Sequence, residues 1–93
     1  MGEYFIEISD EARKDLLHWQ KLGDKSILRK IDRIFQELAL HPATGIGKAE
    51  PLRGNLSGRW SRRINKRHCI VYKISGNTVT VFIISAHGHY GDS

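Results

Sequence analysis

The feature of this 93-residue sequence that most constrains its fold is an apolar stripe along residues 27–38. Five side chains recur at the spacing of one helical face: Ile27, Ile31, Ile34, Phe35 and Leu38. The charged side chains of this segment should look outward: Lys25, Arg29, Lys30, Asp32, Arg33 and Glu37. Asp24 is a suitable N-cap, and the helix should end before Pro42, because the residue preceding a proline avoids helical angles. We predict a helix that buries one face against a second layer.

The residues before this stripe predict a strand and another helix. Residues 4–8 are rich in aromatic and β-branched side chains, which are typical of a short strand. Ser9 then offers an N-cap, with Asp10 and Glu11 in the first turn of a helix that ends near Gly23. Its apolar stripe comprises Ala12, Leu16, Leu17 and Trp19. Because only a short loop separates the two helices, we expect a helical hairpin.

The second half of the sequence is irregular at first and then rich in β-forming residues. Residues 42–58 contain both prolines and four glycines, which is typical of a loop that carries functional groups. Three β-rich runs follow, at residues 59–64, 69–74 and 78–85, and a hairpin turn at Gly76 joins the last two. This order predicts an α+β fold in a single domain, residues 1–93, with the helical hairpin packed on one face of a mostly antiparallel sheet of four to five strands. The other face stays available to a large partner.

The basic residues are concentrated in one part of the chain. The net charge is +5, and eight of the 15 lysines and arginines lie between Lys48 and Lys73, where Glu50 is the only acid. A polyanion is therefore the expected partner, and nucleic acid, a membrane surface and an acidic protein all stay possible. The longest apolar stretch, residues 79–84, is too short to span a bilayer, and the lone Cys69 excludes an internal disulfide. We predict a cytoplasmic protein without a membrane segment.

Two motifs resemble known ligand sites but are incomplete. Gly45, Gly47 and Lys48 lack both the spacing of a phosphate-binding loop and the Ser or Thr that follows its lysine. His87 and His89 could share a metal, but no third ligand stands at a suitable spacing. The sequence therefore predicts no cofactor and no metal.

Six other side chains together suit RNA cleavage: Glu50, Arg53, Arg62, Arg63, His89 and Tyr90. RNA carries its own nucleophile in the ribose 2′-OH, so cleavage needs a base, cations near the phosphate and an acid for the leaving oxygen. A carboxylate can be the base, an imidazole the acid, and guanidinium groups bind phosphate oxygens. Simpler interpretations stay open, because Glu50 could be an ordinary surface acid and Trp60 a packing residue. Arg62 and Arg63 should point to opposite faces of a strand, so at most one serves a given site directly.

The order of several motifs closely resembles the YoeB/Txe family of bacterial toxins, within the RelE superfamily. Residues 50–53 read Glu-Pro-Leu-Arg, and residues 56–64 read Leu-Ser-Gly-Arg-Trp-Ser-Arg-Arg-Ile. Residues 68–72 read His-Cys-Ile-Val-Tyr, and residues 89–90 read His-Tyr. Trp19-Gln20 in the first helix extends the resemblance over nearly the whole chain.

The resemblance implies a RelE-like microbial RNase fold and the toxin component of a type II toxin–antitoxin system. Such a toxin is a ribosome-dependent endoribonuclease that cleaves mRNA in the A site and inhibits translation. Its implied partners are a YefM-like antitoxin, the ribosome with its rRNA, mRNA and a second copy of the chain.

Each implied site residue matches a position of the family motifs. Glu50 matches the proposed general base, Arg53 matches a basic residue near the scissile phosphate, and Arg63 matches an active-site arginine. His89 and Tyr90 match the pair assigned to acid catalysis and substrate positioning. Four further side chains are expected to contact RNA: Lys48, Arg59, Arg62 and Arg67.

One position departs from the family pattern. Cys69 stands where an arginine is expected, and loss of a positioned charge donor can slow a reaction about 100- to 1,000-fold. Two other functions stay open, a ParE-like gyrase inhibitor on the same fold and a basic helical hairpin that binds DNA. The presence of Glu50 together with His89-Tyr90 argues against the first, and the outward acids Asp32 and Glu37 argue against the second.

Overall fold

The computed structural model describes residues 3–43, 49–52 and 58–84. The elements of these residues are β1 (Phe5–Ile8), α1 (Asp10–Leu22), α2 (Lys25–Leu38), β2 (Glu50–Pro51), β3 (Arg59–Arg63), β4 (Cys69–Ser75) and β5 (Thr78–Ile84). The strands form one sheet in the order β1-β5-β4-β3-β2, in which β1 runs parallel to β5 and the other neighbours are antiparallel. The predicted α+β fold, a helical hairpin on a mostly antiparallel sheet, is confirmed.

Local signals set the boundaries of both helices. The Ser9 side chain accepts a hydrogen bond from the Ala12 amide, and the Asp24 carboxylate accepts one from the Ile27 amide, each at 3.1 Å. These caps satisfy amides that have no partner within the helix. Gly23 ends α1 in a left-handed conformation, φ 70°, which glycine adopts without steric cost. The two predicted caps are therefore confirmed.

The core lies between the two helices and one face of the sheet. Four residues of the predicted α2 stripe are buried and Phe35 is partly buried, while α1 contributes Ala12 and Trp19. The sheet side chains that face the helices are completely buried: Ile70, Tyr72, Val79, Val81 and Ile84. They alternate along each strand except between Val81 and Ile84, where the pairing of β4 with β5 shifts register. Neither α1 nor α2 is long and apolar enough to cross a membrane.

Three local expectations differ from the structure. Glu50 and Pro51 pair with β3 as a short strand, although residues 42–58 were expected to be irregular. Leu17 is 54% exposed, so the α1 stripe is narrower than predicted. Glu37 was predicted to look outward, and that is wrong, because its carboxylate forms an ion pair with the buried Arg62.

Candidate active site

The register of three strands places chemically active side chains on the face of the sheet that the helices leave open. Glu50 of β2 lies opposite Ser61 of β3, and Arg63 of β3 lies opposite Cys69 of β4. Ser61 and Arg63 are two residues apart on β3, so all four side chains project from the same face. Glu50 and Arg63, both predicted site residues, therefore lie on the same surface.

These four residues line an open cleft of about 610 Å³. Lys30 of α2 and Lys66, in the turn between β3 and β4, also line it. Among the described lining residues there are three cations and one acid, Glu50. The described wall of the cleft is thus suited to an anionic ligand, with one carboxylate positioned beside it.

Glu50 is exposed but stands on a backbone that the sheet holds in place. Besides the pairing of Glu50 with Ser61, the Leu52 amide donates a hydrogen bond to the Arg59 carbonyl at 2.8 Å. Two residues of strand are enough here because β3 is itself paired along its length with β4. The carboxylate is therefore accessible while its main chain is anchored.

Arg59 and Arg67 lie in other surroundings on the surface. The Arg59 guanidinium packs over the Phe82 ring, 4.5 Å from the ring centroid, in a cation–π contact. Arg67 is exposed in the turn after β3, where the Asn65 side chain accepts a hydrogen bond from its amide. Neither residue is among those that line the cleft.

Arg62 lies in the protein interior. Its side chain has no solvent exposure, and its Nη1 donates to Glu37 Oε1 at 3.1 Å. Nε donates to Tyr72 Oη at 3.3 Å, and Nη2 donates to the His41 carbonyl. The expected opposite orientation of Arg62 and Arg63 is confirmed, and Arg62 is the one that faces the core. A guanidinium buried there does not reach a phosphate, so the assignment of Arg62 to RNA contact is corrected to a structural role.

Tyr72 extends this buried network to the end of the helical hairpin. Its hydroxyl donates to the Pro42 carbonyl at 2.5 Å. Burial raises the pKa of Tyr72 above its ordinary value, and the neighbouring Arg62 opposes that rise through a hydrogen bond and its charge. The network joins α2, β3 and β4 to the backbone at His41 and Pro42, where the chain leaves the hairpin.

Cys69 lies in the cleft as a half-buried thiol opposite Arg63. Burial raises the pKa of the Cys69 thiol above its ordinary value, and the charge of Arg63 partly opposes this rise. The Cys69 side chain is therefore protonated, and only weakly nucleophilic, at neutral pH. Nothing at this position supplies the positive charge that the family resemblance leads us to expect there.

Two side chains of α1 bind the backbone at the end of β5. Trp19 Nε1 donates to the Ile84 carbonyl at 2.7 Å, and the Ile84 amide donates to Asp15 Oδ2 at 2.9 Å. The Trp19 ring also meets the His68 ring edge to face, with centroids 4.7 Å apart. Sequence reasoning placed Trp19 in the core but missed Asp15. Their spacing of four residues, which puts both on one helical face, was the available signal.

The other predicted site residues, Lys48, Arg53, His89 and Tyr90, lie outside the described residues, as does His87. Within residues 3–43, 49–52 and 58–84, no cluster of three His, Cys, Asp or Glu side chains could hold a metal ion.

Comparison with known proteins gives the class of this fold. Residues 8–90 match the family described as the YoeB-like toxin of bacterial type II toxin-antitoxin system. Toxin YoeB of Streptomyces coelicolor is 38% identical over 85 residues, which cover 91% of this chain and 98% of that protein. The YoeB dimer from Staphylococcus aureus has a TM-score of 0.81 and 34% identity, covering 91% of this chain and 98% of that one. The YoeB-YefM complex from the same organism has a TM-score of 0.80 and 33% identity, covering 90% and 97%.

These similarities define a bacterial toxin of the RelE superfamily fold. The chain belongs to the YoeB-like toxin family of type II toxin–antitoxin systems. The resemblance inferred from the motifs is thereby confirmed at the level of family and fold.

Proposed function

We propose that this toxin is a ribosome-dependent endoribonuclease that cleaves mRNA in the A site and so inhibits translation. The observation that supports this proposal best is the shared cleft of Glu50 and Arg63 on the open face of the sheet. An exposed carboxylate beside cations, in an open cleft of about 610 Å³, suits attack on a phosphodiester. The family of the chain supports the same assignment.

The proposed reaction uses the message itself as the nucleophile. Glu50 accepts the proton of a ribose 2′-OH, and the resulting oxygen attacks the adjacent phosphorus. The bond from phosphorus to the 5′ oxygen breaks, and His89 donates the proton that this leaving oxygen needs. The products are a 2′,3′-cyclic phosphate and a 5′-hydroxyl. Arg63 stabilises the charge that develops on the phosphorane oxygens.

The remaining residues assist this reaction. Arg53 binds the scissile phosphate, Tyr90 positions the substrate, and three cations bind RNA nearby: Lys48, Arg59 and Arg67. Lys30 and Lys66 line the cleft and supply part of the positive charge that an arginine in place of Cys69 would bring. No metal is needed, because the base, acid and cations are all side chains.

The proposed partners follow from the charge of this surface and from the relatives. A basic protein is steered to the phosphates of the ribosome, most strongly at low salt. The solved relatives from Staphylococcus aureus include a YoeB dimer and a YoeB-YefM complex. We infer that this chain likewise forms a homodimer and is neutralised by a YefM-like antitoxin that covers the cleft.

Induction in bacteria, with mapping of new mRNA 5′ ends, tests the proposal. The parent protein should stop translation and produce cuts in phase with codons, whereas Glu50→Gln should do neither. Glu7→Gln, which changes an exposed glutamate of β1, is the matched control and should remain toxic. Continued translation without new 5′ ends would overturn the proposal. A DNA-damage response without mRNA cleavage would favour gyrase inhibition of the ParE type instead.

A further inference from the structure

A second hollow adjoins the candidate active-site cleft along α2. Its volume is about 280 Å³, and Arg29, Lys30 and Arg33 form one of its walls. Lys30, Ile64 and Asn65 line both this hollow and the cleft. The two hollows are therefore adjacent, with Lys30 at their shared border, and we call the second one the α2 groove.

The α2 groove is strongly basic. Among the described residues no acid lines it, whereas three cations stand within one turn of α2. The two acids of α2 are directed elsewhere. Asp32 lines different hollows and accepts a hydrogen bond from Gln36 at 2.9 Å, and Glu37 pairs with Arg62. Arg29 also lines one of those hollows together with Asp32, but neither acid of α2 is among the described residues that line the α2 groove.

The wall opposite α2 is a turn with a defined backbone. Asn65 Oδ1 accepts hydrogen bonds from the amides of Arg67 at 2.8 Å and His68 at 2.9 Å. The Ile64 amide also donates to the His68 carbonyl at 2.8 Å. This local network holds the turn that presents the exposed Lys66 to the cleft. Both walls of the path from cleft to groove therefore carry positive charge on ordered elements.

The chemistry of the groove favours RNA over an acidic polypeptide. A segment that folds on binding gains its affinity largely by burying apolar surface. The apolar residues of the groove, Ile27 and Ile64, are only 8% and 5% exposed because they already belong to the core. The groove thus offers charge with little apolar surface, and a sugar–phosphate backbone binds through charge alone.

We propose that the α2 groove binds the phosphate backbone of the RNA strand on one side of the cleavage point, with Arg29 and Arg33 as its contacts. The inference rests on the proposed function in taking RNA as the polyanion. It adds a binding surface on α2 beyond Lys30, which lines the cleft itself. RNA that is cut in the cleft is then held in position by Arg29 and Arg33, which flank Lys30 on α2.

The test measures RNA binding in a background that needs no cleavage. All proteins carry Glu50→Gln, and the probe is a fluorescent single-stranded RNA of about 10 nucleotides, a length typical of such sites. Arg29→Ala/Arg33→Ala is compared with Arg13→Ala/Lys14→Ala, which removes two exposed cations from α1. Dissociation constants are measured from low to moderate salt, and an oligoglutamate of equal charge serves as the polypeptide probe.

The groove variant should bind RNA on the order of 10-fold more weakly at moderate salt, and its salt slope should fall by about 1.4, for two lost phosphate contacts. The α1 control should retain the slope of the parent. Equal losses in both variants, no loss in the groove variant, or no measurable RNA binding by the parent overturns the inference. The inference is also overturned if the groove variant loses oligoglutamate binding by the same factor as RNA binding. Because no cleavage is measured, a failed nuclease assay leaves this result unaffected.

Discussion

The carboxylate of Glu37 lies 3.1 Å from Nη1 of Arg62, and this ion pair joins α2 to β3. The next residue of β3, Arg63, lines the cleft. The Arg62 side chain is fully buried, whereas that of Glu37 is 29% exposed. Removing one partner from a buried ion pair leaves the other charge uncompensated. The pair therefore ties α2 to the strand on which the candidate active site is built, and loss of either partner should be costly.

Replacing Glu37 should destabilise the protein more than replacing the other acid of α2. Glu37→Ala is expected to lower the free energy of unfolding by about 2 to 4 kcal/mol, because the Arg62 charge stays buried. Asp32→Ala, which removes an exposed carboxylate, should change it by about 0.5 kcal/mol or less. Urea unfolding of both variants checks this. Equal stability of the two variants would show that the ion pair contributes nothing.

The Cys69 thiol should titrate above its ordinary pKa of 9.0. The thiol of the unfolded chain therefore ionises at lower pH than the thiol of the folded protein. The stability that this protonated thiol contributes is complete below pH 9.0 and is lost as pH rises through the folded pKa. Arg63→Gln removes the cation that opposes the shift and should raise the midpoint further, whereas Arg59→Gln should not. The pH dependence of iodoacetamide alkylation measures this midpoint. A midpoint below 9.0 would contradict the described burial of the thiol.

Restoring a cation at Cys69 should accelerate cleavage. Cys69→Arg places a guanidinium beside Arg63 in the cleft, and a positioned donor at the transition state is worth about 100- to 1,000-fold in rate. Cys69→Ser keeps the size of the side chain and should stay near the parent rate. Single-turnover cleavage of mRNA on programmed ribosomes separates the two. A Cys69→Arg variant no faster than Cys69→Ser would contradict the prediction that a cation is missing at this position.

The contacts of Asp15 and Trp19 with Ile84 should protect the end of β5. Trp19→Phe keeps an aromatic ring but removes the donor to the Ile84 carbonyl. This change should lower the free energy of unfolding by about 1 to 3 kcal/mol. Asp15→Ala should do the same for the Ile84 amide, while Asp15→Asn, which keeps an acceptor, should largely restore stability. Hydrogen exchange at the Ile84 amide measures this directly. Unchanged protection in Asp15→Ala would show that the hydrogen bond is not formed.

Features encoded by neighbouring residues could be predicted from the sequence. The caps at Ser9 and Asp24 and the stripe of α2 depend on residues within a few positions of one another, and all three are present. The opposite orientation of Arg62 and Arg63 follows from the alternation of a strand, and it too is observed. These predictions needed no knowledge of how the elements pack.

Features that depend on distant partners could not be predicted in this way. Glu37 stands between Ile34 and Leu38 at the border of the apolar stripe, and only the arrival of Arg62 from β3 decides that it turns inward. Asp15 shares a helical face with Trp19, but its partner is an amide 69 residues away, which that spacing does not identify. The convergence of Glu50 and Arg63 likewise depends on the pairing of β2 with β3. Family motifs identified Glu50 and Arg63 but not the geometry that joins them.

The most direct test of the account is the dependence of cleavage on a single ribose hydroxyl. Purified toxin is added to ribosomes programmed with an mRNA, and the cut site is mapped from the product ends. The same mRNA is then made with one 2′-deoxynucleotide immediately before that site. We expect 2′,3′-cyclic phosphate ends on the normal message and no cut at the modified position. Cleavage of the deoxy-substituted message at the same site and rate would contradict it.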